Sequence, residues 1–131
     1  MPFLEWSDTF RTGVESIDEE HRRIFQVINA LHDHTKPGAS SIRAQEAMDA
    51  LLWYGSEHFQ NEEALMKYLG YPGYQEHQHE HQALKEALLK LREDGFDLHA
   101  IAEFSRSWIT LHIKTQDLRF IHWVRHREGS G

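Results

Sequence analysis

Three clusters of helix-breaking residues divide this chain into four stretches of helical periodicity, which constrains the fold more than any other feature. Pro37-Gly38, the run Gly70-Tyr71-Pro72-Gly73, and Gly95 are the breaks. Proline lacks an amide donor, and glycine adopts backbone conformations that other residues avoid. Between the breaks, apolar residues recur at three- and four-residue intervals. The first helix is expected to start at Ser16-Ile17-Asp18-Glu19, an S-x-x-E capping box that satisfies free amides. It carries Ile17, His21, Ile24, Phe25, Ile28 and Leu31. The second is expected to start near Ser40 or Ser41 and carries Ala44, Met48, Leu51, Leu52, Gly55, Phe59, Leu65 and Leu69. The third runs from about Tyr74 to Asp94, with Leu84, Leu88 and Leu91 along one stripe. Asp97 caps the fourth, which carries Ile101, Phe104, Trp108, Leu111, Leu118 and Ile121 and frays near Arg127. Residues 1–15 form an arm packed through Phe3, Trp6 and Phe10, and residues 128–131 a disordered tail. There is no strand pattern, repeat or low-complexity stretch. Short connections make successive helices antiparallel. The expected fold is therefore all-α, an up-down-up-down antiparallel four-helix bundle with an N-terminal arm, as one domain over residues 1–131.

Composition removes several function classes. A chain of 131 residues can bury a core without disulfide staples. It has no cysteine, so thiolate zinc sites, cysteine-ligated iron–sulfur clusters, covalent c-type haem and cysteine nucleophiles are excluded. A formal net charge of −7 opposes binding to nucleic acid, which is driven by basic side chains. No apolar run approaches the ~20 residues that span a bilayer, and the N-terminus lacks the pattern of a signal peptide. The expectation is a cytoplasmic protein with no nucleic-acid partner and no membrane insertion.

The chain carries eleven histidines, several times the usual share, and imidazole is the commonest metal ligand. His21 lies on the first helix, His58-x-x-x-Glu62 on the second, His77-x-x-x-His81 on the third and His112-x-x-x-x-Asp117 on the fourth. Residues four apart differ by about 40° around a helix and share a face. Five apart differ by about 140°, which suits a carboxylate reaching sideways between two ions. In an antiparallel hairpin, residues equidistant from the turn lie opposite each other. That places Glu62 level with His81, His81 level with His112, and His21 within a turn of His58, so all four sets share one slab of the bundle. Five imidazoles and two carboxylates exceed the needs of one ion. Two divalent ions sharing Glu62, Asp117 and a hydroxide would leave the slab nearly neutral. Carboxylate bridges with imidazole favour iron or manganese, and iron fits best.

Gly13-Val14-Glu15-Ser16-Ile17-Asp18-Glu19-Glu20-His21, followed by these three motifs in order, resembles the single-domain bacterial hemerythrins over residues 1 to 121. The resemblance implies reversible dioxygen binding at a non-haem diiron centre, for storage, transport or delivery. It implies that His77, His81 and His112 hold one iron, that His21 and His58 hold the other with a position open, and that Glu62, Asp117 and an oxo or hydroxo group bridge them. It also implies an oxygen pocket of Ile24, Phe59, Trp108, Ile109 and Ile113, and an oxygen-consuming enzyme as a recipient. The chain would then not be an enzyme, apart from weak peroxidase-like chemistry.

The rival readings are a sensor of oxygen, nitric oxide or iron, a diiron peroxide-handling protein, a ferritin-like enzyme or iron store, and a structural zinc bundle. A sensor would need a separate partner, since the expected bundle leaves no residues for an output domain. Ferritin-like sites use paired E-x-x-H motifs, and Glu76-x-x-His79 has no mate. Tetrahedral zinc leaves too many ligands over. His79 is expected to face solvent. His32, His34 and His99, near helix ends, are also expected to be exposed, and His122-x-x-x-His126 to lie outside the slab.

Overall fold

The computed structural model describes residues 3–35, 41–93 and 97–130, without the side chains of residues 41 and 128–130. The expected turn at Pro37-Gly38, the alternative cap Ser40 and the stop at Gly95 lie outside the described residues. A 3-10 turn, Asp8–Phe10, precedes helices α1 (Glu15–Asp33), α2 (Ser41–Leu69), α3 (Tyr74–Glu93), α4 (Leu98–His112) and α5 (Leu118–Ser130). A single π-helical turn, Ile113–Asp117, joins α4 to α5. Both junctions keep helical backbone angles, so α4, the π turn and α5 form one rod. Four rods result, and no strand occurs among the described residues. Helix α1 packs on α2 and α4, and α3 packs on α2 and α4, which sets the rods in chain order around a square.

The capping box at Ser16 is not used. Helix α1 already begins at Glu15, and its cap residue Val14 makes no side-chain bond. Instead the buried Asp18 carboxylate accepts from Thr12 N (2.9 Å), Thr12 Oγ1 (2.8 Å) and Gly13 N (3.3 Å). Thr12 Oγ1 in turn accepts from Val14 N at 3.1 Å. An ionised carboxylate offers about four acceptor sites where a serine hydroxyl offers two, and the chain ahead of the helix folds back onto it. Gly13 sits at φ +90, and an added Cβ would strike the Arg125 guanidinium, which donates to Thr12 O at 2.8 Å. The arm is pinned higher up, where Asn29 exchanges two 2.8 Å bonds with the Leu4 backbone. Phe3 stacks on His32 at 4.0 Å, and both His32 and His34 are half-buried rather than exposed. His79, His99, His122 and His126 are exposed.

The expected stop after α2 is present. Gly70 takes φ +72, and Tyr71 N bonds back to Met66 O at 2.9 Å, closing the helix end. Asp97 caps α4 by accepting from Ala100 N at 3.2 Å. Met66 is fully buried, whereas Leu65 is only half-buried. Leu111, expected on the apolar stripe, is 65% exposed. The stripe of α4 runs instead through Ala102, Ser105, Ile109 and His112, and Leu111 stands about 100° off His112.

Apolar packing forms two clusters. One contains Ile24, Phe25, Ile28, Met48, Leu84, Leu88 and Ile101. The other contains Ile17, Met66, Tyr71, Phe120 and Ile121. On each rod the chain passes through polar, buried residues at or beside its share of these clusters.

Candidate metal centre

Among the described residues, seven of the buried polar side chains converge: His21, His58, Glu62, His77, His81, His112 and Asp117. Each is at most 2% exposed. The ligand atoms of Glu62, His77, His81, His112 and Asp117 all lie within 4.8 Å of one another, as do those of His21, His58, Glu62 and Asp117. The structure thus brings together every histidine and carboxylate expected at the slab, in two groups that share the two carboxylates.

All five imidazoles point Nε2 inward. His21 and His58 approach at 2.9 Å. His112 lies 3.1 Å from both His77 and His81. Each carboxylate divides its oxygens between the groups. Glu62 sets Oε2 3.3 Å from His58 and Oε1 2.7 Å from His77. Asp117 sets Oδ2 3.0 Å from His21 and Oδ1 3.0 Å from His77 and 3.1 Å from His112.

The π turn explains how a five-residue spacing does this. Leu118 N bonds to Ile113 O, five residues back. Such a turn takes one more residue than an α turn, so His112 and Asp117 fall on one face. The Thr110 hydroxyl donates to the Arg106 carbonyl at 2.9 Å just before the π turn, and the Thr115 hydroxyl within it donates to the Leu111 carbonyl at 2.7 Å.

The donor set fits metal ions. Both oxygens of Glu62 and of Asp117 are buried and face only imidazole nitrogens, with no other donor among the described residues, an arrangement that calls for a compensating cation in a dry interior. Two imidazole nitrogens at right angles on one ion, each about 2.1 Å from it, would lie about 3.0 Å apart, as the inward nitrogens here do.

The carboxylates control the imidazole charge. Burial alone would lower the His58 pKa, but the Glu62 charge and the bonds to Glu20 and Glu62 outweigh it and raise it to about 10. Burial opposes the charge of His77 too, yet its bonds to Asp117 and Glu62 raise it to about 9. Burial likewise pushes Glu62 and Asp117 up, and is overcome by the surrounding histidines, so both stay below the ordinary carboxylate range.

Two further carboxylates were not among the expected site residues. His58 Nδ1 donates to Glu20 Oε1 at 2.7 Å, and Asn61 also donates to Glu20. His81 Nδ1 donates to Glu63 Oε2 at 2.7 Å. A carboxylate behind an imidazole fixes which nitrogen faces inward and raises its basicity. The hairpin rule that aligned Glu62 with His81 also puts Glu63 beside it, and sets Glu20 level with residue 57.

Of the expected pocket residues, Ile24, Phe59, Trp108 and Ile109 line one cavity. Ile113 is fully buried in the same apolar cluster but off the cavity wall. Phe59 lies flat on His81 at 3.9 Å and Trp108 on His112 at 4.3 Å.

Fold and donor set together define a helical-bundle metal-binding protein. The family model of the hemerythrin HHE cation binding domain matches residues 12–126. The bacteriohemerythrin of Pseudomonas paraeruginosa is 31% identical over 130 residues, covering 96% of this chain and 84% of that protein. The myohemerythrin of Sipunculus nudus is 28% identical over 116 residues, covering 88% of each. A crystal structure of a hemerythrin point mutant superposes with a TM-score of 0.82 at 29% identity, over 92% of this chain and 95% of that one. The chain belongs to the hemerythrin family.

Proposed function

We propose that this protein binds dioxygen reversibly at a pair of iron ions, for storage, transport or delivery, with dioxygen as its ligand and an oxygen-consuming enzyme as a recipient. In this reading His77, His81 and His112 hold one iron, His21 and His58 hold the other, and Glu62 and Asp117 bridge them. The observation that carries it is the division of the carboxylate oxygens, each side chain directing one oxygen to each imidazole group. When bound, a ferrous pair supplies the two electrons that reversible dioxygen binding requires.

The side chains account for the rest. Three imidazoles on one side and two on the other leave the two-imidazole side one donor short, where an external molecule has room. Glu20 and Glu63 hold His58 and His81 in the orientation that presents Nε2. Ile24, Phe59, Trp108, Ile109 and Ile113 supply apolar surface near the imidazoles and exclude water, which favours release of the ligand unchanged over its loss as a solvated anion. Imidazole-rich ligation with two carboxylates sets the site apart from the carboxylate-rich bundles and supports a carrier rather than an enzyme. Among the described residues no helix is long and apolar enough to cross a membrane.

The test is anaerobic ferrous reconstitution, metal counting, and optical spectra through repeated oxygen and argon cycles. The reading expects about two irons per chain and a visible charge-transfer band that appears under oxygen and vanishes under argon. A band that forms once and never reverses would replace the carrier with a redox-sensing or peroxide-handling protein.

A further inference from the structure

We propose that His122 and His126 on α5 form a second metal site, on the surface and separate from the slab, which takes a divalent transition ion of the copper(II) and zinc(II) kind. The site does not depend on what the slab's ions do.

Helix α5 is anchored by the fully buried Phe120 and by Ile121 and Val124, which belong to the second apolar cluster. His122 and His126 are exposed, and neither belongs to the two groups of ligand atoms in the slab. Residues four apart share a face of a helix. The two rings stand 4.1 Å apart between centroids, tilted by 48°. The chain has one other H-x-x-x-H, His77 and His81, whose rings stand 4.6 Å apart in the slab. Two imidazoles side by side on one ion, with bonds of about 2.1 Å at right angles, have centroids about 4.5 Å apart. Side-chain rotation alone therefore fits the surface pair to an ion, with the helix backbone unchanged.

The surroundings favour ligation. His126 Nδ1 donates to the His122 carbonyl at 3.1 Å. A neutral imidazole has one N–H, so this bond puts the lone pair on Nε2, the nitrogen directed to a metal. A carbonyl behind the ring is the usual device for fixing that choice. The arginines nearby direct their charge elsewhere. Arg125 donates to Thr12 O at 2.8 Å, Arg127 lies over the Trp123 ring at 5.7 Å, and Arg119 acts on the Tyr71 hydroxyl.

The donors choose the ion. Two imidazoles without a carboxylate suit copper and zinc, whereas magnesium, calcium and manganese prefer oxygen ligands. Affinity rises from manganese through iron to copper, so copper(II) should bind most tightly. Solvent reaches both rings, so water fills the remaining positions and the ion exchanges readily, unlike one buried in the slab.

The test is titration of copper(II) into full-length protein whose slab is filled with ferric iron, followed by electron paramagnetic resonance in a non-coordinating buffer. Wild type should bind about one copper per chain, with the hyperfine pattern of two imidazole nitrogens. His122→Ala and His126→Ala should each weaken binding by about tenfold or more, with helicity and iron content unchanged. His79→Ala, at an exposed histidine on α3, should bind copper as wild type does. Zinc, followed by calorimetry, should rank the variants in the same order, and manganese should bind more weakly than zinc. Should the slab take no iron, copper fills it as well, and the two α5 variants still bind one copper fewer than wild type. Copper affinity that stays within about threefold of wild type in either α5 variant would overturn the proposal. So would an equal loss in His79→Ala, or a single-nitrogen spectrum in wild type.

Discussion

Loading metal into this bundle should expel protons, and the structure sets how many. Glu62, Asp117 and Glu20 hold the metal-free His58 and His77 as cations, with pKa values raised to about 10 and about 9. At about pH 7.5 both rings are then almost wholly protonated. A metal-ligating imidazole must be neutral, so loading should release roughly two protons per chain from these rings. The assay is calorimetric titration of anaerobic ferrous ion into metal-free protein, repeated in buffers of different ionisation enthalpy. The dependence of the observed heat on that enthalpy counts the protons. Release should decline as pH rises through 9 and then 10, and Glu62→Gln should reduce it. A release below about half a proton near pH 7.5 would refute the reasoning, because the rings would already be neutral. The same shifts govern the metal-free fold. Folded values above the free imidazole value near 6.5 give stability that is complete below that pH and fades as pH rises through 9 to 10. The lowered values of Glu62 and Asp117 give stability present above the ordinary carboxylate range and lost in acid. The metal-free protein should therefore melt highest between about pH 5 and 6.5.

His81→Ala should lose metal, since it removes an inward nitrogen, while His79→Ala should retain it, since that ring is exposed; metal counts per chain decide. Glu63→Ala should weaken metal binding about 10- to 100-fold by freeing the His81 ring, read by competition with a chelator. Phe120→Ala, at a fully buried ring against Tyr71, should cost about 3–5 kcal/mol of stability in urea unfolding.

Much of the bundle was legible because its helices are long, amphipathic and sharply punctuated. Hairpin geometry put Glu62, His81, His112, His21 and His58 at one level, since equal distance from a turn fixes level in an antiparallel pair, and helical spacing added His77 and Asp117. What escaped were departures from ideal helices and interactions made across them. The π turn at Ile113–Asp117 leaves no periodic trace, because one extra residue shifts the pattern by less than a turn; the His112 to Asp117 spacing is its only hint. Leu111 reads as apolar and helical, but its neighbour His112 takes the inward direction. The Ser16 motif fits a capping box, yet Asp18 reaches the amides of Thr12 and Gly13 through a loop whose path only the folded chain defines. Glu20 and Glu63 carry no spacing signal of their own, because each sits next to a residue already assigned inward.

The central claim is that one buried slab holds two ions joined by Glu62 and Asp117. Iron-edge anomalous diffraction from crystals of the loaded protein tests it most directly. Two peaks per chain are predicted, about 3.5 Å apart, one beside His21 and His58 and one beside His77, His81 and His112. A single peak, or two peaks without both carboxylates between them, would contradict it.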